Sequence, residues 1–206
     1  MGSYTGCMKL PGQELVALLA TVSFAAGLNV YATVATLGLL AHAGVLELPP
    51  ALSVLENWWI IGASAALFGV EFFADKVPAF DLIWNALHTF IRVPVAALLA
   101  WRATAALSPG EQLAAAVAGG LIALVAHGGK TAVRAAVTPS PEPVSNIVLS
   151  LGEDVLAVLL TWMATWQPWV GISIVAGLVL VTVLLVRWVL KALGSLLRRA
   201  EQVLVG

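Results

Sequence analysis

Residues 168–190, PWVGISIVAGLVLVTVLLVRWVL, are the clearest indication of the fold class of this chain. The segment contains a single ionisable residue, Arg187, which lies close to its end. A helix rises about 1.5 Å per residue and the hydrocarbon core of a bilayer is about 30 Å thick, so roughly twenty apolar residues cross a membrane. The segment therefore predicts a transmembrane helix.

The composition of the whole chain agrees with this prediction. Hydrophobic residues make up 61% of the sequence and charged residues only 10%, whereas about a quarter of an ordinary soluble domain is charged. The net charge of -1 and the lack of a basic stripe exclude a nucleic-acid interface. The single Cys7 excludes an intrachain disulfide and a cysteine-based zinc site, and we expect no cofactor.

Five further apolar stretches have the length of a membrane span, and proline lies in or beside each connection. Together they predict an all-α polytopic membrane protein with about six transmembrane helices in a single domain. The predicted spans cover residues 13–41, 57–74, 82–103, 111–133, 147–166 and 168–190, and a basic amphipathic tail covers residues 191–206.

Basic residues and tryptophans predict the orientation, because positive flanks stay cytoplasmic and indole rings favour the membrane interface. Arg102 falls on one side of the six-span topology and eight basic residues fall on the other: Lys9, Lys76, Lys130, Arg134, Arg187, Lys191, Arg198 and Arg199. Six tryptophans fall at the outer interface: Trp58, Trp59, Trp101, Trp162, Trp166 and Trp169. Both termini are therefore expected in the cytoplasm.

Ionisable side chains lie within or against these apolar runs and gather toward the cytoplasmic side. They are Glu71, Asp75, Asp81, His88, Arg92, His127, Lys130, Arg134, Glu153 and Asp154. A charge at this depth is costly and is normally retained where it faces a bundle interior or a water-filled cavity. We expect these residues to meet in a polar cavity open to the cytoplasm and to bind a substrate or ion, or to relay protons.

The spacing leaves several roles open. Glu71 and Asp75 share a helix face, so their carboxylates can hold a cation or share a proton, or can form salt bridges with Lys76 and Arg92. His88 can relay protons or be a satisfied buried histidine.

The remaining members have alternatives of the same kind. Lys130 and Arg134 can serve the site or reach lipid headgroups as anchors. Glu153 and Asp154 point about 100° apart, so that one can pair structurally while the other serves the site.

Two breaks are predicted inside the spans. Gly27-Leu28-Asn29 lies near the middle of the first span, where Asn29 can contact a substrate or join helices by hydrogen bonds. Gly128-Gly129 can form a hinge, an anion-binding turn or a packing surface. A weak internal repeat relates residues 78–83 to 142–147, which both start a span at a proline turn, and it favours broken or re-entrant helices.

Three strings carry a family resemblance: EFFADKVPAFD at residues 71–81, HGGK at 127–130 and SPEPVSN at 140–146. Together they resemble a family of bacterial integral membrane proteins that is known only as a domain of unknown function. The resemblance covers about residues 15–166. It implies a multi-pass protein of the bacterial inner membrane and no established activity.

We expect a membrane transporter or channel for a small ion or solute, because buried charges of both signs and broken helices are typical of such proteins. One alternative is a flippase or a membrane-embedded enzyme acting on a phosphate-bearing lipid. In that case Arg92, Lys130 and Arg134 would hold the phosphate, and Asp75, Asp81, His88 and His127 would bind any metal. Another alternative is a structural or assembly subunit.

Enzymatic activity is the less expected outcome. The expected partners are the lipid bilayer, a small ion or solute, an anionic lipid headgroup and a second copy of the chain.

Overall fold

The computed structural model describes the backbone of residues 12–74, 78–137 and 143–205. Within these ranges the regular structure is entirely helical, which confirms the all-α prediction. The helices are α1 (Gly12–Leu28), α2 (Val30–His42), α3 (Trp58–Ala74), α4 (Pro78–Ala103), α5 (Pro109–Val137), α6 (Pro143–Trp166) and α7 (Pro168–Val205). A 3-10 helix, Pro50–Glu56, precedes α3.

Proline residues start many of these helices. Pro50, Pro78, Pro109, Pro143 and Pro168 each occupy the first position of a helix. The first N–H groups of a helix have no intrahelical acceptor, so proline loses no hydrogen bond there, and its fixed φ suits the helix. The proline turns predicted from the sequence therefore mark where the helices begin.

Three helical segments are long and apolar enough to cross a membrane: Pro109–Arg134, Ile147–Trp166 and Pro168–Trp188. The 3-10 helix and α3, bent by 64° relative to each other, form a fourth candidate span. The six predicted spans are therefore not confirmed. α4 has 26 residues, enough to cross a bilayer at about 1.5 Å per residue, but polar residues such as His88 and Arg92 lower its hydropathy.

The first predicted span, residues 13–41, is not one continuous helix. α1 ends at Leu28, α2 begins at Val30, and Asn29 between them has an extended backbone (φ -148°, ψ 103°). The break predicted at Gly27-Leu28-Asn29 is therefore present, and it divides the stretch into two short apolar helices.

The direction of α1 follows from its contacts with α5. A Cβ atom on Gly119 would lie 2.9 Å from the Ser23 hydroxyl, and a Cβ atom on Gly27 would collide with the backbone of Ala123. Later residues of α1 thus meet later residues of α5. Since the two helices run in the same direction, α1 begins at the end of the bundle where α5 begins.

α2 returns to the end of the bundle from which α1 comes. The Tyr31 hydroxyl contacts His88, early in α4, whereas Leu37 packs in one cluster with Leu18 of α1 and Leu99, late in α4. α1 and α2 therefore form a re-entrant hairpin, which enters the bundle and turns back at Asn29. We call this pair the re-entrant hairpin.

Both ends of the re-entrant hairpin lie at the end of the bundle where α3 starts, α4 ends, α6 ends and α7 starts. The six tryptophans predicted at the outer interface belong to this end, and each is exposed, from 38% to 85%. We call it the tryptophan end. α7 finishes at the opposite end, so residues 12 and 205 lie at opposite ends of the bundle, and the cytoplasmic location of both termini stays a prediction. Residues 1–11, including Lys9, lie outside the described residues.

The re-entrant hairpin is the centre of the bundle. Residues 21–30 are all buried, on every face of α1, by contacts with α4, α5, α6 and α7.

The predicted break at Gly128-Gly129 is not seen, because α5 continues through it. Gly129 instead allows close packing against Thr182 of α7, whereas a Cβ atom on Gly128 would meet nothing within 4 Å. The turns of the proposed repeat, residues 75–77 and 138–142, lie outside the described residues.

Candidate functional site

Charged side chains from four helices converge inside the bundle at the tip of the re-entrant hairpin. Five of them are at most 4% exposed, and the sixth, Glu153, has a side chain that is 13% exposed. The set comprises Glu71 of α3, Arg92 of α4, Lys130 and Arg134 of α5, and Glu153 and Asp154 of α6. We call it the charge network.

Arg92 forms the centre of one half of the network. Its Nη2 donates to Glu71 Oε1, and its Nη1 lies 2.8 Å from Nδ1 of His127. A guanidinium group can only donate, so Nδ1 must accept and carries no proton. The proton of the imidazole therefore lies on Nε2, which donates to the Thr89 hydroxyl at 2.7 Å. Arg92 thus keeps His127 neutral and in a single tautomer.

Lys130 joins this half to the second half. Its Nζ lies 3.7 Å from Glu71 Oε1 and 3.3 Å from Glu153 Oε2. It also lies 3.5 Å from the carbonyl oxygen of Leu28, the last residue of α1. Arg134 Nη2 contacts Glu153 Oε2 at 2.6 Å. The C-terminal end of a helix carries partial negative charge, so the Lys130 ammonium stabilises the end of α1.

Asn29 connects the tip of the re-entrant hairpin to the last carboxylate. Its Oδ1 accepts from the Ala32 N–H at 2.9 Å and caps α2. Its Nδ2 donates to Asp154 Oδ1, also at 2.9 Å. These two partners fix the orientation of the amide, because an N–H can only donate and a carboxylate accepts. Asn29 therefore both starts α2 and holds α6 against the break.

Charges of opposite sign balance within the network. With the carboxylates ionised and His127 neutral, the network has three positive and three negative charges. The cations are Arg92, Lys130 and Arg134, and the anions are Glu71, Glu153 and Asp154. Buried charges persist in a low-dielectric interior only when they are paired and hydrogen-bonded. Binding or removing one ion or proton here would leave a charge uncompensated, so it must be coupled to a rearrangement of the network.

Sequence reasoning identified most of these residues. The structure brings together Asn29, Glu71, Arg92, His127, Lys130, Arg134, Glu153 and Asp154. Glu153 and Asp154 have different partners, as their 100° separation predicts. Burial of Lys130 and Arg134 argues against the alternative in which they reach lipid headgroups. Asp75 and the side chain of Asp81 lie outside the described residues.

His88 lies beside the re-entrant hairpin. It is 3% exposed, and its Nδ1 donates to the Trp84 carbonyl at 2.8 Å. Its Nε2 lies 3.1 Å from the Tyr31 hydroxyl of α2, which donates to it when the imidazole is neutral. His88 and His127 thus each use both ring nitrogens on protein partners. Among the described residues, no group of three His, Cys, Asp or Glu side chains could hold a metal ion.

Three contacts were not predicted from the sequence. Thr89 lies three residues before Arg92, so helical spacing could have placed it near the same partners. The predicted break could have indicated the contact of Lys130 with the Leu28 carbonyl, because a break releases backbone groups from the hydrogen bonds of the helix. No feature of the sequence indicated the contact of Tyr31 with His88, because this contact depends on the direction in which α2 turns back after Asn29.

The expected polar cavity at these residues stays a prediction. The network side chains pack against one another, and each of the three cations proposed to hold a lipid phosphate already contacts a carboxylate. A cavity of 560 Å³ lies elsewhere, toward the tryptophan end, and its lining is mostly aliphatic.

One comparison with known proteins gives a match. The sequence profile of a family described as a domain of unknown function (DUF4126) matches residues 16–188, which confirms the family resemblance. No curated protein and no solved structure matches the chain.

Proposed function

The chain belongs to the DUF4126 family, whose description assigns no activity, and from its charge network we propose that it is a membrane transporter or channel for a small ion or solute. Its apolar helices are those of a membrane protein. The family match leaves the substrate open, so the proposal depends on the site alone.

The observation that carries this proposal is the meeting of the re-entrant hairpin tip with the charge network. Helices that end inside a membrane present unpaired backbone groups at that depth, where an ion or polar solute can use them. Here the Leu28 carbonyl at the end of α1 lies 3.5 Å from Lys130 Nζ, and Asn29 at the start of α2 donates to Asp154. Ionisable groups held inside a membrane bundle commonly mark the path of a substrate or proton.

The contacts suggest how a substrate would be handled. A cation would compete with Lys130 for Glu71, Glu153 and the Leu28 carbonyl. An anion would compete with Glu153 for Lys130 and Arg134. In either case the incoming charge exchanges with an internal partner, and the released partner must find a new contact or change its protonation state. Transport would therefore be coupled to movement of α3, α5 or α6 relative to the re-entrant hairpin.

We also propose that the chain lies in the bacterial inner membrane with the network toward the cytoplasm. Arg134 and Arg187 belong to the end opposite the tryptophans, whereas Arg102 lies exposed at the tryptophan end. This distribution follows the bias of basic residues toward the cytoplasm.

The pairing of the charges favours a second candidate, a structural or assembly subunit. Such a protein needs charge pairs between helices inside the bundle, and the pairs formed by Glu71 with Arg92 and by Glu153 with Arg134 have this character. It would need no route for an ion. The two candidates therefore predict opposite results in a flux experiment.

Reconstituted liposomes test the proposal. Fluxes of H⁺, Na⁺, K⁺ and Cl⁻ would be measured for the wild type and for Glu71→Gln and Asp154→Asn, which remove charge but keep side-chain shape. Arg102→Gln is the matched control, since Arg102 is exposed and distant from the network. We expect one of these fluxes to exceed that of empty liposomes, both network variants to lose it and the control to keep it.

Fluxes equal to those of empty liposomes for every ion would instead favour the structural subunit. The same conclusion would follow if folded Glu71→Gln and Asp154→Asn proteins both carried the wild-type flux. Folding of each variant would be checked by its elution as a single species and by its helical content.

A further inference from the structure

The cavity at the tryptophan end has walls from several parts of the fold. Leu18 and Val22 of α1 line one side, Leu37 of α2 lines another, and Leu99 and Ala103 of α4 close it. The segment between α2 and the 3-10 helix, the 3-10 helix itself and Ala106 after α4 complete the lining. Because α1 and α2 diverge from Asn29, the cavity lies between the two arms of the re-entrant hairpin and away from its tip.

The chemistry of the walls excludes a polar ligand in the body of the cavity. The lining is mostly leucine, with valine, alanine and proline, and Glu47 is its one ionisable member among the described residues. Protein interiors leave few voids larger than a water molecule, and water is not retained where it lacks polar partners. A volume of 560 Å³ lies within the range of small-molecule binding sites. The cavity therefore suits an apolar chain.

The mouth of the cavity differs from its body. Glu47 and Ala106 line the cavity and are exposed, so the cavity reaches the surface beside a carboxylate. Trp58, Trp59 and Trp101 are exposed at the same end of the bundle, and tryptophan collects at the level of lipid headgroups. The mouth therefore lies where a lipid would place its headgroup.

We propose that this cavity binds one phospholipid, with an acyl chain between the arms of the re-entrant hairpin and a primary ammonium headgroup at Glu47. The carboxylate can accept charge-assisted hydrogen bonds from a primary ammonium, whereas a quaternary ammonium has no N–H to donate. Phospholipids are the abundant molecules with apolar chains around a membrane protein. Their acyl chains match the apolar body of the cavity, and their headgroups match its mouth beside Glu47. A bound chain would hold the arms apart and so stabilise the hairpin whose tip lies at the charge network.

The full-length protein in lipid nanodiscs tests this inference, whether or not the protein transports an ion. One set of nanodiscs would contain phosphatidylcholine alone and the other equal parts of phosphatidylcholine and phosphatidylethanolamine. Lipid retained after extraction would be identified by native mass spectrometry, and the thermal midpoint would be measured in both sets. We expect the wild type to retain one phosphatidylethanolamine molecule and to melt at a higher temperature in the mixed nanodiscs.

Variants that fill the cavity give the decisive comparison. Ala103→Phe would fill it from α4 and Leu37→Phe from α2, and both should lose the retained lipid and the difference in thermal midpoint. Ala66→Phe, on the exposed face of α3, is the matched control and should keep both. Glu47→Gln should retain a lipid but lose the preference for phosphatidylethanolamine.

Retention of lipid by folded Ala103→Phe and Leu37→Phe proteins would overturn the proposal. Folding is judged by a thermal midpoint in phosphatidylcholine close to that of the wild type. A wild-type protein that retains only detergent, or that retains both lipids equally, would also overturn it.

Discussion

Replacing Arg92 with methionine removes the cation that joins Glu71 to His127. Arg92 is fully buried, so water cannot take over the lost contacts. Methionine is chosen because it fills most of the volume and introduces no polar group. The substitution therefore isolates the electrostatic part of the contact from a cavity effect.

The expected loss of stability depends on the contacts that Glu71 retains when Arg92 is replaced. Removing one partner of a buried ion pair costs about 3–5 kcal/mol, because the other charge is left without compensation. Glu71 still has Lys130, whose Nζ lies 3.7 Å from Oε1, so we expect the lower end of this range, about 3 kcal/mol. His127 also loses the donor to its Nδ1.

The double variant Glu71→Met/Arg92→Met tests whether the two side chains stabilise the fold as a pair. It removes one cation and one anion together, so Lys130 and Arg134 still balance Glu153 and Asp154. The double variant should therefore be less destabilised than the sum of the single variants, with a coupling energy of about 2 kcal/mol. Replacing a buried pair with apolar residues is often close to neutral.

The measurement is reversible unfolding in mixed micelles of increasing denaturing detergent, followed by helical circular dichroism. Arg102→Met in the same helix is the control and should change stability by no more than about 0.5 kcal/mol, because Arg102 is exposed. Arg92 and Glu71 do not stabilise the fold as a buried pair if Arg92→Met is no more costly than this control, or if the two network substitutions are simply additive.

Two further predictions concern the re-entrant hairpin. Asn29→Ala removes the N-cap of α2 and the donor to Asp154. It should lower the free energy of unfolding by about 1–2 kcal/mol in the same assay. A stability equal to that of the wild type would contradict the capping role. Cysteines placed singly at Gln13 and Gly44 in a Cys7→Ser background should react with an impermeant thiol reagent from the same side of the membrane, whereas a continuous first span would put them on opposite sides.

Several features of the fold could be predicted from the sequence because they depend on local chemistry. Apolar length identifies a membrane protein, and proline marks the first residue of α4, α5, α6 and α7. The Gly27-Leu28-Asn29 break could also be predicted, since asparagine favours the start of a helix. The site residues could be listed because charges within apolar segments are rare whatever the fold.

The direction of α2 and the partners of each charge depend on contacts between helices that are far apart in the sequence. The apolar run at residues 13–41 satisfies the same hydropathy criterion whether it crosses the bilayer or enters and returns, because hydropathy records solvent preference and not direction. Lys130 and Arg134 carry the same charge whether they reach headgroups or a buried carboxylate, and only the packing of α5 against α1 and α6 brings Glu153 within their reach. Contacts between distant segments depend on helix packing, which no local pattern in the chain encodes.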